Sequence, residues 1–342
     1  MLSDQTMKGK HFITCQEWSK KELDNILGLA SKLKSKQAKG KPHELLKGKT
    51  LFMLFFNPST RTRNSFVAGM TQLGGNAEYL SSDATWIKAE SIKDTVKVLS
   101  RYGDGLSVRY YRWELPYGEG NRMLRLYAKH SAKPVINMED GMYHPCQGMA
   151  DLMAMKEKFN NLKGKKFVLS WAYSRYFGGY LGSECHTNIM LMSRFGMDVT
   201  LSHPKGFDVA PWILEAAKNN AAESGSNFEI VNDMRDACEG AHVVYPVNWT
   251  PWKKFYNENN LEKRKKIIQN HTERFRKWIC TQELMNLTEK KSIFMHPMPF
   301  NRGEEVTEEV ADGPHSAIYD EAENRLHVQK AILALTMGGV EK

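Results

Sequence analysis

The sequence contains no apolar run near the ~20 residues that a bilayer-spanning helix requires, which excludes an integral helical membrane protein. Its start, Met1-Leu2-Ser3-Asp4-Gln5, lacks the basic and then apolar stretch of a secretory leader, so a cytoplasmic location is expected. Cysteine is scarce and scattered: Cys15, Cys146, Cys185, Cys238 and Cys280 never form a Cys-x-x-Cys pair. That odd number at those spacings argues against a disulfide framework and a cysteine zinc site, and fits a reducing compartment. No cluster with metal-ligand spacing is evident, so no metal is expected; no organic cofactor is expected either. A Gly-x-x-x-x-Gly-Lys-Ser/Thr loop, a solenoid-period repeat and low-complexity tracts are also missing.

What is present is an ordinary globular composition, 41% hydrophobic and 25% charged over 342 residues, long enough for two domains. Lys and Arg number 48 against 39 acids, a net charge of +9 that is compatible with nucleic acid, an anionic surface or a small anion. Much of the excess sits in two tracts. Residues 1–50 hold eleven lysines and five acids, and Lys253 to Lys277 holds nine basic residues and three acids. Both read as solvated helical or loop faces, the first with an apolar stripe of Leu23, Ile26, Leu27, Leu29, Ala30 and Leu33. Aromatic residues are not interleaved as a base-stacking platform requires, so no nucleic-acid partner is expected.

Short apolar runs alternate with helix-length segments. Strands are expected at Thr50–Phe56, Ala77–Leu80, Gly105–Arg109 and Pro134–Asn137, and again at Lys166–Trp171, Asp198–Ser202, His242–Tyr245 and Ser292–Met295. Helices are expected over Asn64–Leu73, Ile92–Tyr102 and Gly148–Asn160. This alternation predicts an α/β fold of two doubly wound domains, each a mostly parallel sheet flanked by helices. In such folds chemistry gathers beyond the carboxyl ends of the strands.

At one such end stands Asn57-Pro58-Ser59-Thr60-Arg61-Thr62-Arg63, where a strand meets a helix start. Helix N-terminal amides, hydroxyls and a guanidinium together make an anion cradle, although Ser59 or Thr60 alone would serve equally as a helix cap. Ser59-Thr60-Arg61-Thr62-Arg63 resembles the carbamoyl-phosphate signature of the aspartate/ornithine carbamoyltransferase family. Further resemblances follow in order: Ala89-Glu90-Ser91-Ile92-Lys93-Asp94-Thr95, Val108-Arg109, His144-Pro145-Cys146-Gln147, His296-Pro297-Met298-Pro299 and Glu321-Ala322-Glu323-Asn324-Arg325.

The resemblance implies a carbamoyl-phosphate domain, 1–147 completed by 322–342, an amine-substrate domain, 148–321, and an active site in the cleft between them. It implies that Ser59, Thr60, Arg61, Thr62 and Arg325 bind phosphate. Arg109 and His144, with Thr62 nearby, would bind the carbonyl oxygen, and Gln147 and the Met298 backbone the carbamoyl nitrogen. It also implies a homotrimer with shared sites, in which Trp86 and Lys88 reach a neighbour's carbamoyl phosphate. Arg109 and His144 would then act as an oxyanion hole. Taken without the family, His144 reads as a turn residue, Gln147 as a helix-start residue and Arg109 as a salt-bridge partner.

The acceptor half departs from both best-known branches. Pro297 replaces the cysteine of the ornithine enzymes' His-Cys-Leu-Pro, and neither Asp-x-Trp-x-Ser-Met-Gly nor an aspartate-gripping Arg-x-Gln is present near residues 245–253. Ser170-Trp171-Ala172-Tyr173 and Asp320–Lys330 resemble instead the branch acting on N-acylated ornithine, whose corresponding loop is knotted. The 173–188 segment lacks that loop's prolines, so a knot stays open. Candidate acceptor contacts are Glu139, Tyr173, Arg175, His186, Asn188, Trp249, Pro297 and Arg302, with Glu139 binding an amino group or closing a loop. Tyr176, Phe177 and Tyr180 are candidates for loop packing. The expected partners are carbamoyl phosphate and an amino-acid-like amine, N-acylornithine-like or a related diamino acid, with ornithine as the alternative. A non-catalytic binding protein of this fold is the reading from a different class, and a dinucleotide oxidoreductase fails the Gly-x-Gly-x-x-Gly spacing at Gly178-Gly179-Tyr180-Leu181-Gly182.

Overall fold

A computed structural model describes residues 7–112, 114–175, 181–256 and 258–338. They divide into two compact units, one from 1–112, 118–153 and 322–342 and the other from 113–117 and 154–321. Both are α/β units built on an all-parallel sheet, as the alternation of apolar runs and helical segments predicts.

The first unit opens with α1 (Lys20–Ala38), started by a reciprocal cap between Ser19 and Glu22, with Leu23, Ile26, Leu27, Ala30 and Leu33 buried. There follow β1 (Thr50–Phe55), α2 (Thr60–Gln72), β2 (Asn76–Ser81), α3 (Ile92–Tyr102), β3 (Gly105–Arg109), α4 (Glu119–His130), β4 (Val135–Glu139) and α5 (Pro145–Phe159). The sheet order is β2-β1-β3-β4. The chain leaves β1 for one side and then returns to place β3 on the other, so a crevice opens between their carboxyl ends. Phe55 of β1 is in register with Arg109 of β3, which sets the start of α2 beside that arginine.

The second unit holds β5 (Lys166–Trp171), α6 (Ser183–Arg194), β6 (Asp198–Ser202), α7 (Pro211–Ser224), β7 (Phe228–Val231), α8 (Met234–Cys238) and β8 (Val243–Val247). Then come α9 (Trp252–Phe255), α10 (Leu261–Arg274), α11 (Gln282–Met285), β9 (Ile293–Phe294) and α12 (Glu308–Ala311). The order is β7-β6-β5-β8-β9, with its switch point between β5 and β8. The edge strand β7 is a strand the alternation did not reveal, because it has four residues and none is fully buried.

The last helix, α13 (Ile318–Met337), contributes its residues from 322 onward to the first unit. It comes close to α2 at Gly69, where a Cβ would lie 3.3 Å from the Lys330 side chain and 3.5 Å from that of Leu326. The contact is fixed by Lys330, whose buried ammonium donates to Gln72 Oε1 (2.7 Å) and lies 3.1 Å from His43 Nε2.

Two expectations change. The basic tract 253–277 is not simply a solvated face, since Arg264 is fully buried, lies over the Phe255 ring and donates to the carbonyls of Glu114 and Leu115. Trp249, expected at the acceptor site, is a core residue: its indole donates to the Phe207 carbonyl (2.7 Å) while its own carbonyl accepts from Trp171 (2.9 Å). Trp249→Ala should therefore destabilise the protein by about 3–5 kcal/mol. Denaturant unfolding checks this, and a loss below about 1 kcal/mol would contradict the packing role.

Candidate active site

In the first unit, Ser59 caps α2 and its hydroxyl accepts from the Thr62 amide (3.3 Å). The next amides, at Thr60 and Arg61, belong to the group that has no intrahelical acceptor and suits an anion. Thr62 is buried, and its hydroxyl accepts from Arg325 (3.2 Å), which α13 delivers to this spot. Arg325 also donates to Gln147 Oε1, while Gln147 Nε2 donates to Asp151 (2.7 Å), so a chain of polar contacts joins α13, α2 and α5.

At the end of β3, Arg109 is almost buried and forms an ion pair with Glu139, at the end of β4. The same Glu139 oxygen lies 3.8 Å from His144 Nε2. His144 precedes α5, and its carbonyl accepts from the Gln147 and Gly148 amides. Its position depends on Asp140, whose buried carboxylate accepts from Asn121, Asn137 and the Met142 and Tyr143 amides, fixing the turn before it. Burial and the charges of Arg325, Arg109 and Arg61 hold the His144 pKa well below the ordinary value, so the ring is neutral at pH 7. A neutral imidazole with one N–H is a hydrogen-bond donor that carries no proton to lose to the solvent as pH moves around 7.

The first unit thus brings together Ser59, Thr60, Arg61, Thr62, Arg109, Glu139, His144, Gln147 and Arg325. Trp86 and Lys88 lie on a surface 3-10 turn, Trp86 77% exposed and Lys88 paired with Asp83 at 2.5 Å.

In the second unit the loops beyond β5, β8 and β9 are tied by two adjacent buried acids. Glu304 accepts from the Arg175 amide (2.9 Å), Arg175 Nε (2.8 Å), Ser174 Oγ (3.4 Å) and Asn301 Nδ2 (3.3 Å). Glu305 accepts from the Asn248 amide (3.1 Å) and lies 3.4 Å from His296 Nε2. His296 Nδ1 in turn accepts the Met298 amide (2.9 Å), leaving the carbonyl as that residue's backbone group for any further contact. Met298 adopts a left-handed φ of 51°, next to the half-buried Pro297 and before a cis bond to Pro299.

Tyr173 is buried, with its amide bonded to the Trp278 carbonyl (2.8 Å). His186 sits in the first turn of α6 with Tyr117 Oη 3.3 Å from its Nε2, and Asn188 is buried one step further on. Gly182 makes that histidine possible: its φ is +101°, and a Cβ would stand 2.9 Å from the ring nitrogen. Arg302 does not offer a ready cation to a carboxylate, because Asp312 accepts from both its Nε (2.9 Å) and its Nη2 (2.5 Å) on the surface. Tyr176, Phe177 and Tyr180, and with them the knot, lie outside the described residues.

Residues 10–157 match the carbamoyl-P binding domain, and residues 175–336 the Asp/Orn binding domain, of aspartate/ornithine carbamoyltransferase. The chain belongs to the aspartate/ornithine carbamoyltransferase family. It is 39% identical to ornithine carbamoyltransferase of Pyrococcus horikoshii over 98% of both chains. Among solved structures it resembles ornithine carbamoyltransferase from Pyrococcus furiosus, with a TM-score of 0.83, 38% identity and coverage of 98% of this chain and 99% of that one. It also resembles an acetylornithine transcarbamylase complexed with acetylcitrulline, with a TM-score of 0.86, 35% identity and coverage of 97% and 100%.

This carbamoyltransferase contains supporting residues that motif reading passed over. Asp151 stands one helical turn beyond Gln147, a spacing that could have flagged it. Asp140, Glu304 and Glu305 carried no such signal, since an acid in a loop is ordinarily solvated.

Because the unfolded chain protonates this histidine more readily than the folded one, the stability its neutral ring contributes is lost as pH falls below about 6.5. The carbon-13 shift of the His144 ring is expected to stay at its neutral value as pH falls through the ordinary histidine range near 6.5. A titration midpoint at or above 6.5 would contradict the site's electrostatics.

Proposed function

We propose that this carbamoyltransferase transfers the carbamoyl group of carbamoyl phosphate to the amine of an amino-acid-like acceptor, N-acylornithine-like or a related diamino acid. Phosphate and a ureido compound are the products. The observation that carries the substrate half is the convergence of Arg61, Arg109 and Arg325 on neutral His144 at one end of the first sheet. Ser59, Thr60, Arg61, Thr62 and Arg325 take the phosphate dianion, with the amides that open α2. Arg109 and His144, close to Thr62, take the carbonyl oxygen, where negative charge grows as the amine lone pair forms the new C–N bond. Gln147 Oε1, an acceptor with two lone pairs, suits the carbamoyl nitrogen as well as Arg325. The C–O bond to phosphate then breaks, and the proton that the attacking nitrogen loses leaves with the phosphate.

The acceptor reading rests on the acylated-ornithine features of Ser170–Tyr173 and Asp320–Lys330, and on the likeness to the acetylornithine transcarbamylase. Ornithine is the second reading, favoured by the 39% identity to ornithine carbamoyltransferase. We further propose a cytoplasmic homotrimer, in which the exposed Trp86 and Lys88 turn meets a second chain; Trp86 exposes 77% of its surface.

The test is turnover with carbamoyl phosphate and a panel of ornithine, N-acetylornithine, N-succinylornithine, lysine, putrescine, aspartate and 2,3-diaminopropionate, reading phosphate and ureido product together. A ureido product from an acylated ornithine or a diamino acid is expected; no turnover across the panel would overturn the reading. Arg61→Ala should weaken carbamoyl-phosphate binding by about 10–100-fold, the loss of one charged donor. Unchanged affinity would remove Arg61 from the cradle.

A further inference from the structure

The first unit buries a cation to which the transfer reaction gives no role. Lys330, on α13, is fully buried, and both groups that accept from its ammonium are uncharged. Gln72 Oε1 lies 2.7 Å from Nζ, and His43 Nε2 lies 3.1 Å from it. His43 Nδ1 stands 3.0 Å from the Lys41 carbonyl, which can only accept, so Nδ1 carries the ring proton and Nε2 turns its lone pair to the lysine. No carboxylate among the described residues pairs with Lys330, and burial pushes its pKa down to about 8. A charge kept in such a place is costly, and an apolar side chain of similar length is often at least as stable a filling. Packing alone therefore does not account for the lysine.

Its place along the helix suggests what does. α2 and α13 meet at two points. At one, Arg325 donates to Thr62 Oγ1 (3.2 Å). At the other, the stem of Lys330 crosses Gly69 beside Leu326 and its ammonium reaches Gln72. Only five residues, about 7.5 Å of helix, separate Arg325 from Lys330, so both points lie on one rigid segment. Fixing the second point fixes the rotation and slide of α13 at the first. We propose that Lys330 is a positioning residue for Arg325: its bonds to Gln72 and His43 set where that guanidinium stands when phosphate arrives. This inference rests on the proposed role of Arg325 in taking the phosphate. A charged donor bonds more strongly than a neutral amine, so the hold is firmest while Lys330 keeps its proton. The titratable groups around it are His43, from the segment before β1, and His327, on α13, whose pKa burial and the Lys330 charge hold below the ordinary value. Lys34 of α1 and Glu323 of α13, paired at 3.3 Å, complete the set.

Calorimetry with phosphonoacetamide, a hydrolysis-stable analogue of carbamoyl phosphate, separates positioning from a purely structural role. Lys330→Met keeps the stem and removes the charge. At about pH 7.5 the variant should bind the analogue about tenfold more weakly than the wild type, with the number of sites per chain unchanged. A role in folding alone would lower the number of sites and leave the affinity within about twofold, which would overturn the proposal. Adding Lys330→Met to Arg325→Ala should cost no further affinity, because the lysine acts through the arginine; additive losses would overturn it too. Wild-type affinity should fall as pH rises through about 8, where Lys330 loses its proton, and Lys330→Met should lack that fall. Superimposable pH profiles would contradict the account. If Lys330→Met does not fold, Gln72→Leu, which removes one of the two acceptors, decides by the same readings of affinity and site number. Failure of the wild type to bind the analogue would overturn the carbamoyl-phosphate reading and this inference with it, whereas wild-type binding that both variants retain in full overturns this inference alone.

Discussion

The constraint on which the first unit depends is the burial of positive charge at one end of a parallel sheet. Arg109 and Arg325 are nearly withdrawn from water, and Arg61 is close enough to depress the His144 pKa along with them. Guanidiniums are the right carriers for such a site, since they keep their charge and offer several donors in a fixed plane. Each is also anchored: Arg325 through Thr62 and Gln147, Arg109 through Glu139. The result is a set of donors arranged before the substrate arrives, so little reorganisation remains for the moment of reaction.

The route by which these residues meet follows from topology. Placing β3 next to β1 puts Arg109 beside the start of α2, and the close approach at Gly69 lets α13 lay Arg325 against Thr62. The second unit uses the same principle with different chemistry. Its loops beyond the strand ends are held by the carboxylates of Glu304 and Glu305 rather than by guanidiniums. A buried acid that accepts from several backbone and side-chain donors is a strong tie, and here two adjacent acids tie three loops.

Much of this was legible in the residues. The runs Gly105–Arg109, Lys166–Trp171 and Asp198–Ser202 are strands with the bounds their apolar patterns predict, because these strands are covered on both faces. The short, half-exposed Phe228–Val231 has no such pattern. The ordered motifs pointed to the family, but not to how its residues are used at rest. That Glu139 meets Arg109 depends on the register of β3 and β4, which spacing along the chain does not specify. Trp249, a candidate acceptor contact by sequence, is core for a related reason: its hydrogen bonds with the Phe207 carbonyl and the Trp171 indole join segments far apart in the chain. Arg264 is the same lesson in a basic tract, where one side chain of many is drawn inward by two carbonyls.

The central claim is that fixed guanidinium charge, rather than a protonated histidine, makes the anion site. Calorimetric titration of the wild-type protein with phosphonoacetamide between about pH 6 and 8 tests it most directly. With His144 neutral throughout, affinity should rise with pH as the phosphonate loses its second proton, then level off. Affinity that falls as pH rises, in step with a histidine losing its proton, would contradict the account.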